Sequence, residues 1–191
     1  MPVLTPTVLA TERLRLRWIT HDDAEALFAM MSDPVVVRYW SGAPWTSIDQ
    51  ARATIESSLA NYADGSGVRF VIELAGTPGL IGYVTLHHFM DASRRCEIGY
   101  ALARRWWNQG IAGEAMGALL DYAFGVLDLN RIEADIDPAN IASARLLERY
   151  GFRKEGYMPQ RWIVNGQPAD TVFYGLLRSY RDALSAPFVS Q

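Results

Sequence analysis

Glu97-Ile98-Gly99-Tyr100-Ala101-Leu102-Ala103, the loop Arg104 to Asn108, and Gln109-Gly110-Ile111-Ala112-Gly113-Glu114-Ala115 follow one another as strand, loop and helix start. Free backbone N–H groups at a helix N-terminus, with the positive end of its dipole, make a site for a pyrophosphate, and glycines let phosphates approach closely. No Gly-Lys-Ser/Thr follows, so the turn is not a Walker loop, and it lacks the six-residue dinucleotide fingerprint. A helix whose first turn merely contains two glycines is the structural alternative. Gly117 lies one turn beyond Gly113, each costing about 1 kcal/mol against alanine, and either close backbone approach or a loose helix would account for them.

Along the strand, Glu97, Gly99 and Ala101 share one face and Ile98, Tyr100 and Leu102 the other. The small residues leave space beside the Glu97 carboxylate, for a ligand or for a packed neighbour. A carboxylate there can act as a general base; the competing role is an ion pair with Arg94 or Arg95. Glu133 and Asp135 are weaker candidates. Cys96 has no placed His and Asn partner that would make it a nucleophile. His87-His88 suggests a metal, but no ligand set of suitable spacing accompanies the pair, and no metal is expected. Trp40, Trp45 and Trp162 could line an acceptor groove or simply pack.

These residues need elements to hold them. Glu12 to Trp18 alternates, with Leu14, Leu16 and Trp18 opposite Arg13, Arg15 and Arg17, as in a half-buried strand whose arginines form a solvated face. Thr20 and Asp23 open a helix through Ala24, Leu27, Phe28 and Met31 that stops at Asp33-Pro34. A second helix reads from Ser47 to about Tyr62. Val68 to Ala75 and Leu80 to Leu86 form a hairpin, and Cys96 to Ala103 a further strand. Ile111 to Leu127 has the three- and four-residue recurrence of a buried helix. Arg131 to Asp137 is a strand, Asn140 to Tyr150 a helix closed by Gly151, and Phe152 to Val164 and Thr171 to Leu177 terminal strands. The whole is an α+β chain: a mixed, mostly antiparallel sheet of about seven strands with helices on both faces, in a single domain over 1–191.

The 191 residues, half hydrophobic and a fifth charged, suit one soluble globular unit. A net charge of -3 supplies no basic field for nucleic acid. The lone cysteine excludes an internal disulfide framework and agrees with a reducing compartment. Met1 to Ala10 lacks a signal-peptide pattern, and no run of about 18 uncharged apolar residues is long enough to span a membrane. The expectation is a cytoplasmic protein without a membrane or nucleic-acid partner.

Joined to Asn140-Ile141-Ala142-Ser143-Ala144-Arg145-Leu146-Leu147-Glu148-Arg149-Tyr150-Gly151-Phe152, the Glu97 to Ala115 stretch resembles the GNAT superfamily of acyl-CoA N-acyltransferases, in its RimJ/RimL-like branch of ribosomal-protein N-terminal acetyltransferases. The resemblance runs from Glu12-Arg-Leu-Arg-Leu-Arg through Ser32-Asp33-Pro34 to Val164-Asn165-Gly166, Asp170 and Tyr174-Gly175-Leu176-Leu177. The superfamily's phosphate motif places glycine and a small residue at Gly110 and Ala112; its first position, Gln or Arg elsewhere, is Trp107, which receives no polar role.

The resemblance implies acetyl-CoA as acyl donor. Backbone donors of Gln109, Gly110, Ile111, Ala112, Gly113 and Glu114 would hold its pyrophosphate. Pantetheine would lie along Tyr100, Ala101 and Leu102, with Asn140 and Ser143 facing the cofactor arm. Glu97 stands where some members carry a general base. The tyrosine that many members use as acid is Leu147 here, Tyr150 is not promoted in its place, and Ser143 matches a proposed acid of the branch, the competing role being a hydroxyl satisfied by a helix carbonyl. An amine must be neutral to attack, and an α-amine, with a pKa of about 7.7 to 8.0, loses its proton more readily than lysine. The expected acceptor is a protein N-terminus; a small-molecule or antibiotic amine is the alternative. A non-catalytic acyl-CoA-binding regulator is the reading from another class, and a homodimer is compatible with the branch. Loops around Trp40 to Ser47 and Arg161 to Asp170 would shape the acceptor site.

Overall fold

The computed structural model describes residues 4–185; of the Met1 to Ala10 stretch, Met1 to Val3 lie outside the described residues. Eight strands form one sheet: β1 (Leu9–Ala10), β2 (Leu14–Trp18), β3 (Gly67–Leu74), β4 (Thr77–Met90), β5 (Arg95–Leu102), β6 (Arg131–Ile136), β7 (Arg153–Val164) and β8 (Gln167–Leu177). Their order is β1-β2-β3-β4-β5-β6-β8-β7. Only β5 and β6 run parallel; the other neighbours are antiparallel. The helices are α1 (Ala24–Met31), α2 (Ile48–Asp64), α3 (Ile111–Asp121), α4 (Ile141–Arg149) and α5 (Arg178–Ser185).

The expected α+β architecture is present with one strand more than the seven anticipated. β1 has two residues, too few for alternation to register. The long helix expected over Ile111 to Leu127 is α-helical only to Asp121 and widens into a π turn over Tyr122–Val126. The segment expected as a loop around Arg161 to Asp170 is the end of the β7–β8 hairpin, turning at Asn165 and Gly166, both at positive φ.

Local chemistry sets the helix ends. Ser47 accepts the Asp49 N–H at 3.2 Å and Gln50 Oε1 accepts the Ser47 N–H at 3.2 Å, a reciprocal cap at the start of α2. Gly65 ends that helix in the left-handed conformation, φ 74°, where a Cβ would be strained.

Pleating divides the sheet into two buried faces. On one, Phe70 meets the Tyr122 ring beyond α3, and Tyr100 reaches Ser143 on α4. On the other, Tyr83 packs against Met31 of α1 and against Trp40. Because β3 and β4 bury both faces, their sequences read as apolar runs instead of alternating.

Of the arginines anticipated as a solvated face, Arg13 and Arg15 are exposed, while Arg17 is largely covered, and all three are ion-paired. Arg17 pairs with Asp23 at 2.7 Å and Glu73 at 2.8 Å, and Arg15 with Glu73 at 2.8 Å. Burial alone would raise the Glu73 pKa, but hydrogen bonds from Arg17, the Gly79 N–H and Arg15 prevail and lower it. Glu73 lies one strand away from β2, so the arginine spacing carries no sign of it.

Candidate active site

Parallel pairing of β5 and β6 is brief: Arg95 with Arg131, Cys96 with Ile132 and Glu97 with Glu133. Past that point β5 continues to Leu102 held only by β4, while β6 stays with β8. The middle of the sheet therefore opens into a wedge. Glu97 stands at its vertex, and the β5 edge from Ile98 to Leu102 lines one side, where unpaired peptide groups require a partner.

α3 begins where the chain leaves β5. Gly110 precedes it at φ 77°, a conformation glycine adopts without strain. The first helical turn leaves the N–H groups of Ile111, Ala112 and Gly113 without intrahelical carbonyls. Glu114 differs, because its N–H donates to the Gly110 carbonyl at 3.0 Å. Of the Gln109 to Glu114 span expected from the sequence to supply backbone donors, the Glu114 N–H is thus already engaged within the turn. The Glu114 side chain instead accepts from Arg13, whose Nη1 also donates to the Gln109 carbonyl at 3.0 Å. Arg13 so ties β2 to the turn.

Two further contacts brace this turn. The Trp107 indole N–H donates to the Leu102 carbonyl at 2.6 Å, so Trp107 does have a polar role, directed at the backbone. Tyr150 Oη donates to the Gly113 carbonyl at 2.5 Å, and methyl groups added at Gly113 and Gly117 would lie 3.6 and 3.4 Å from that oxygen. Both glycines of α3 thus face the Tyr150 ring at distances where a methyl would make an ordinary contact, so packing alone does not demand glycine at either position.

At the vertex, Glu97 pairs with neither Arg94 nor Arg95. Arg94 binds Asp128 at 2.7 Å and Arg95 binds Glu133 at 2.5 Å. Glu97 Oε2 lies 3.2 Å from His88 Nδ1, its side chain 36% exposed, so the carboxylate is neither buried nor held by a guanidinium. The space expected beside Gly99 is partly filled from β4: a methyl there would meet Thr85 Cγ2 at 3.2 Å and His87 Nε2 at 3.6 Å. Burial foremost, and then the nearby His88, lower the His87 pKa, which favours the neutral imidazole. The sequence raised His87 only as half of a His-His pair without further ligands; strand register places it directly opposite Glu97. Asp135, the weaker candidate, pairs with Arg161 at 3.3 Å.

Across the wedge, Tyr100 Oη and Ser143 Oγ share a short hydrogen bond. Ser143 does not give its hydroxyl to a helix carbonyl. Its N–H donates to Asn140 Oδ1 at 3.1 Å, which makes Asn140 the cap of α4. Burial pushes the Tyr100 phenol up to about 12 against a smaller opposing effect of Ser143. Leu147 is wholly buried, packing where many superfamily members carry their acid. Cys96 is buried as well, and burial followed by the Glu97 and Glu133 charges pushes its thiol up, the reverse of what a nucleophile requires.

A parting pair of parallel strands, a helix N-terminus at the mouth and a carboxylate at the vertex define an acyl-CoA N-acyltransferase. The chain belongs to the GNAT acetyltransferase family, whose domain model matches residues 13–153, and is an acetyl-CoA-dependent N-acetyltransferase. YoaA of Bacillus subtilis strain 168, an uncharacterised N-acetyltransferase, is 40% identical over 90% of this chain and 97% of its own. YdaF of the same strain, a candidate ribosomal N-acetyltransferase, is 31% identical over 90% of this chain and 95% of its own, in agreement with the RimJ/RimL-like branch. The spermidine N-acetyltransferase of Vibrio cholerae, solved with CoA and spermine, superposes with a TM-score of 0.79 at 26% identity, covering 90% of this chain and 99% of that one. No helix among the described residues is long and apolar enough to cross a membrane.

Proposed function

We propose that this enzyme acetylates the α-amine of a protein N-terminus, with Glu97 as proton acceptor and the Tyr100–Ser143 pair as proton donor to the departing thiolate. The observation that carries the site assignment is the parting of β5 from β6 immediately after Glu97. The β5 edge at Tyr100, Ala101 and Leu102, beyond its pairing with β6, would offer backbone groups to the amides of pantetheine, and the N–H groups of Gln109, Gly110, Ile111, Ala112 and Gly113 donors to the pyrophosphate. Arg13 steadies the turn through the Gln109 carbonyl and the Glu114 carboxylate, which leaves the Gln109 N–H in the proposed cradle, whereas the Glu114 N–H is engaged by the Gly110 carbonyl. Asn140 orients Ser143 by capping α4. Glu97, reached by solvent, can take the ammonium proton directly or through water, while the high-pKa Tyr100 phenol keeps its proton for Ser143 to relay.

The choice of a protein N-terminus rests on the RimJ/RimL-like resemblance and the kinship with YdaF. A polyamine or other small amine is the second reading, favoured by the likeness to the spermidine N-acetyltransferase. Thiol release from acetyl-CoA with N-terminal peptides, spermidine and a panel of small amines decides between them. Peptide turnover, with the acetyl group located on the α-amine by mass spectrometry, is the expected result. Turnover only with polyamines transfers the assignment to the second reading. CoA binding without turnover by any acceptor overturns both in favour of an acyl-CoA-binding regulator.

A further inference from the structure

His87 and His88 are adjacent on β4, and adjacent strand residues ordinarily point to opposite faces. Here they do not diverge. The β4–β5 register is irregular between His87 and Met90, and His88 sits in the left-handed region at φ 52°, uncommon for a residue with a Cβ. In consequence the two imidazoles stand edge to face, centroids 4.6 Å apart, and His88 Nδ1 approaches Glu97 from across the strand pair. One ligand atom from each of His87, His88 and Glu97 lies within 4.8 Å of the other two.

The geometry points to a metal site: we infer that His87, His88 and Glu97 bind a divalent transition-metal ion of the Zn²⁺ class at the vertex of the wedge. Two imidazole nitrogens and one carboxylate oxygen suit Zn²⁺, Co²⁺, Ni²⁺ or Cu²⁺, whereas Mg²⁺ and Ca²⁺ call for oxygen ligands. Tetrahedral ligands at zinc bond lengths of about 2.0 to 2.1 Å stand roughly 3.3 Å apart, a spacing that His88 Nδ1 and Glu97 Oε2, 3.2 Å apart, already have, so that closing the set requires an approach of His87 by side-chain adjustment. Three protein ligands leave a fourth position for water. The sequence spacing concealed this set because Glu97 lies on the next strand and only antiparallel register brings it opposite His87.

A consequence rests on the proposed function: an ion held by Glu97 occupies the proton acceptor, so the metal inhibits acetyl transfer. The test begins with full-length protein stripped by a chelator and titrated with Zn²⁺ by calorimetry and with Co²⁺ by visible absorption. One equivalent binds with micromolar or tighter affinity, and the Co²⁺ d–d bands take a low-coordinate intensity. His88→Asn, suited to the left-handed backbone, and Glu97→Gln each weaken binding by about tenfold or more while melting like the wild type. Absence of saturable binding, or variants that bind like the wild type, overturns the site. Stoichiometric binding that leaves peptide acetylation untouched upholds the site and overturns Glu97 as proton acceptor, so the two readings fail separately.

Discussion

Tyr100 on β5 and Ser143 on α4 join their hydroxyls across the opening in the sheet. The bond connects the strand that presents the acyl-donor edge to the helix on the opposite side of the wedge. Each hydroxyl is the other's partner, so deleting either removes the same relay. Tyr100→Phe and Ser143→Ala are expected to lower kcat by about tenfold to a hundredfold with little change in KM for acetyl-CoA, and the double variant to lose no more than the worse single one. Steady-state kinetics of the four proteins check this. Additive losses would show independent roles.

Glu97→Gln preserves shape and removes the proton acceptor. The expected loss in kcat/KM is about a hundredfold or more near neutral pH. The deficit should narrow as pH rises through the acceptor amine's own pKa, about 7.7 to 8.0 for an α-amine, because the amine then arrives deprotonated. Rate profiles of both proteins between pH 6 and pH 10, about two units either side of that pKa, test it. A constant ratio across the range would remove Glu97 from the proton transfer.

The glycines of the α3 region should behave differently from one another. Gly110→Ala forces a Cβ into the left-handed region at φ 77°, 3.3 Å from Arg13 Nη2. We expect a loss of about 1 kcal/mol or more and a raised KM for acetyl-CoA. Gly117→Ala places its methyl 3.4 Å from Tyr150 Oη, an ordinary contact, and gains up to about 1 kcal/mol of helix propensity. Thermal melts and acetyl-CoA titrations of both variants separate a conformational requirement from a packing preference.

Glu73 makes stability fall in acid. Its side chain is 4% exposed between Arg15 and Arg17, and its folded pKa lies below the unfolded value, about 4.3 for glutamate. The stabilisation is therefore fully present above that value and is lost as pH falls through the lower folded pKa. Glu73→Ala leaves the less exposed Arg17 with Asp23 alone and should cost about 2 to 4 kcal/mol at neutral pH. Melting temperatures from pH 3 to pH 7, spanning about 4.3, should drop more steeply in the wild type than in the variant. Parallel curves would assign the acid sensitivity elsewhere.

Much of this was legible along the chain because it depends on near neighbours. Strict alternation revealed β2, the helices from Ser47 and from Asn140 were read at their starts, and Gly110 marked the turn before α3. The side-chain roles were less legible, because they depend on contacts that residue type and spacing do not announce. Arg13 and Arg15 are exposed as expected, but the ion pairs that Arg13, Arg15 and Arg17 make with Glu114, Glu73 and Asp23 come from three other segments and leave no mark on the arginine spacing. Trp107 seemed to have no polar role because its acceptor is a backbone carbonyl invisible to residue type. For Glu97 the spacing left an ion pair with Arg94 or Arg95 as the alternative to a general base, and Asp128 and Glu133 satisfy those arginines instead.

By itself the sequence determined the order of strands and helices, the glycine at the helix start and the family resemblance, all of which follow from periodicity and local backbone preference. Only the tertiary structure decided where β5 leaves β6, that Tyr100 bonds Ser143, that Tyr150 packs on Gly113 and Gly117, and that His87, His88 and Glu97 converge. The physical reason is that strand register and helix docking are settled by burying one shared core, a condition on the whole chain that no short window contains.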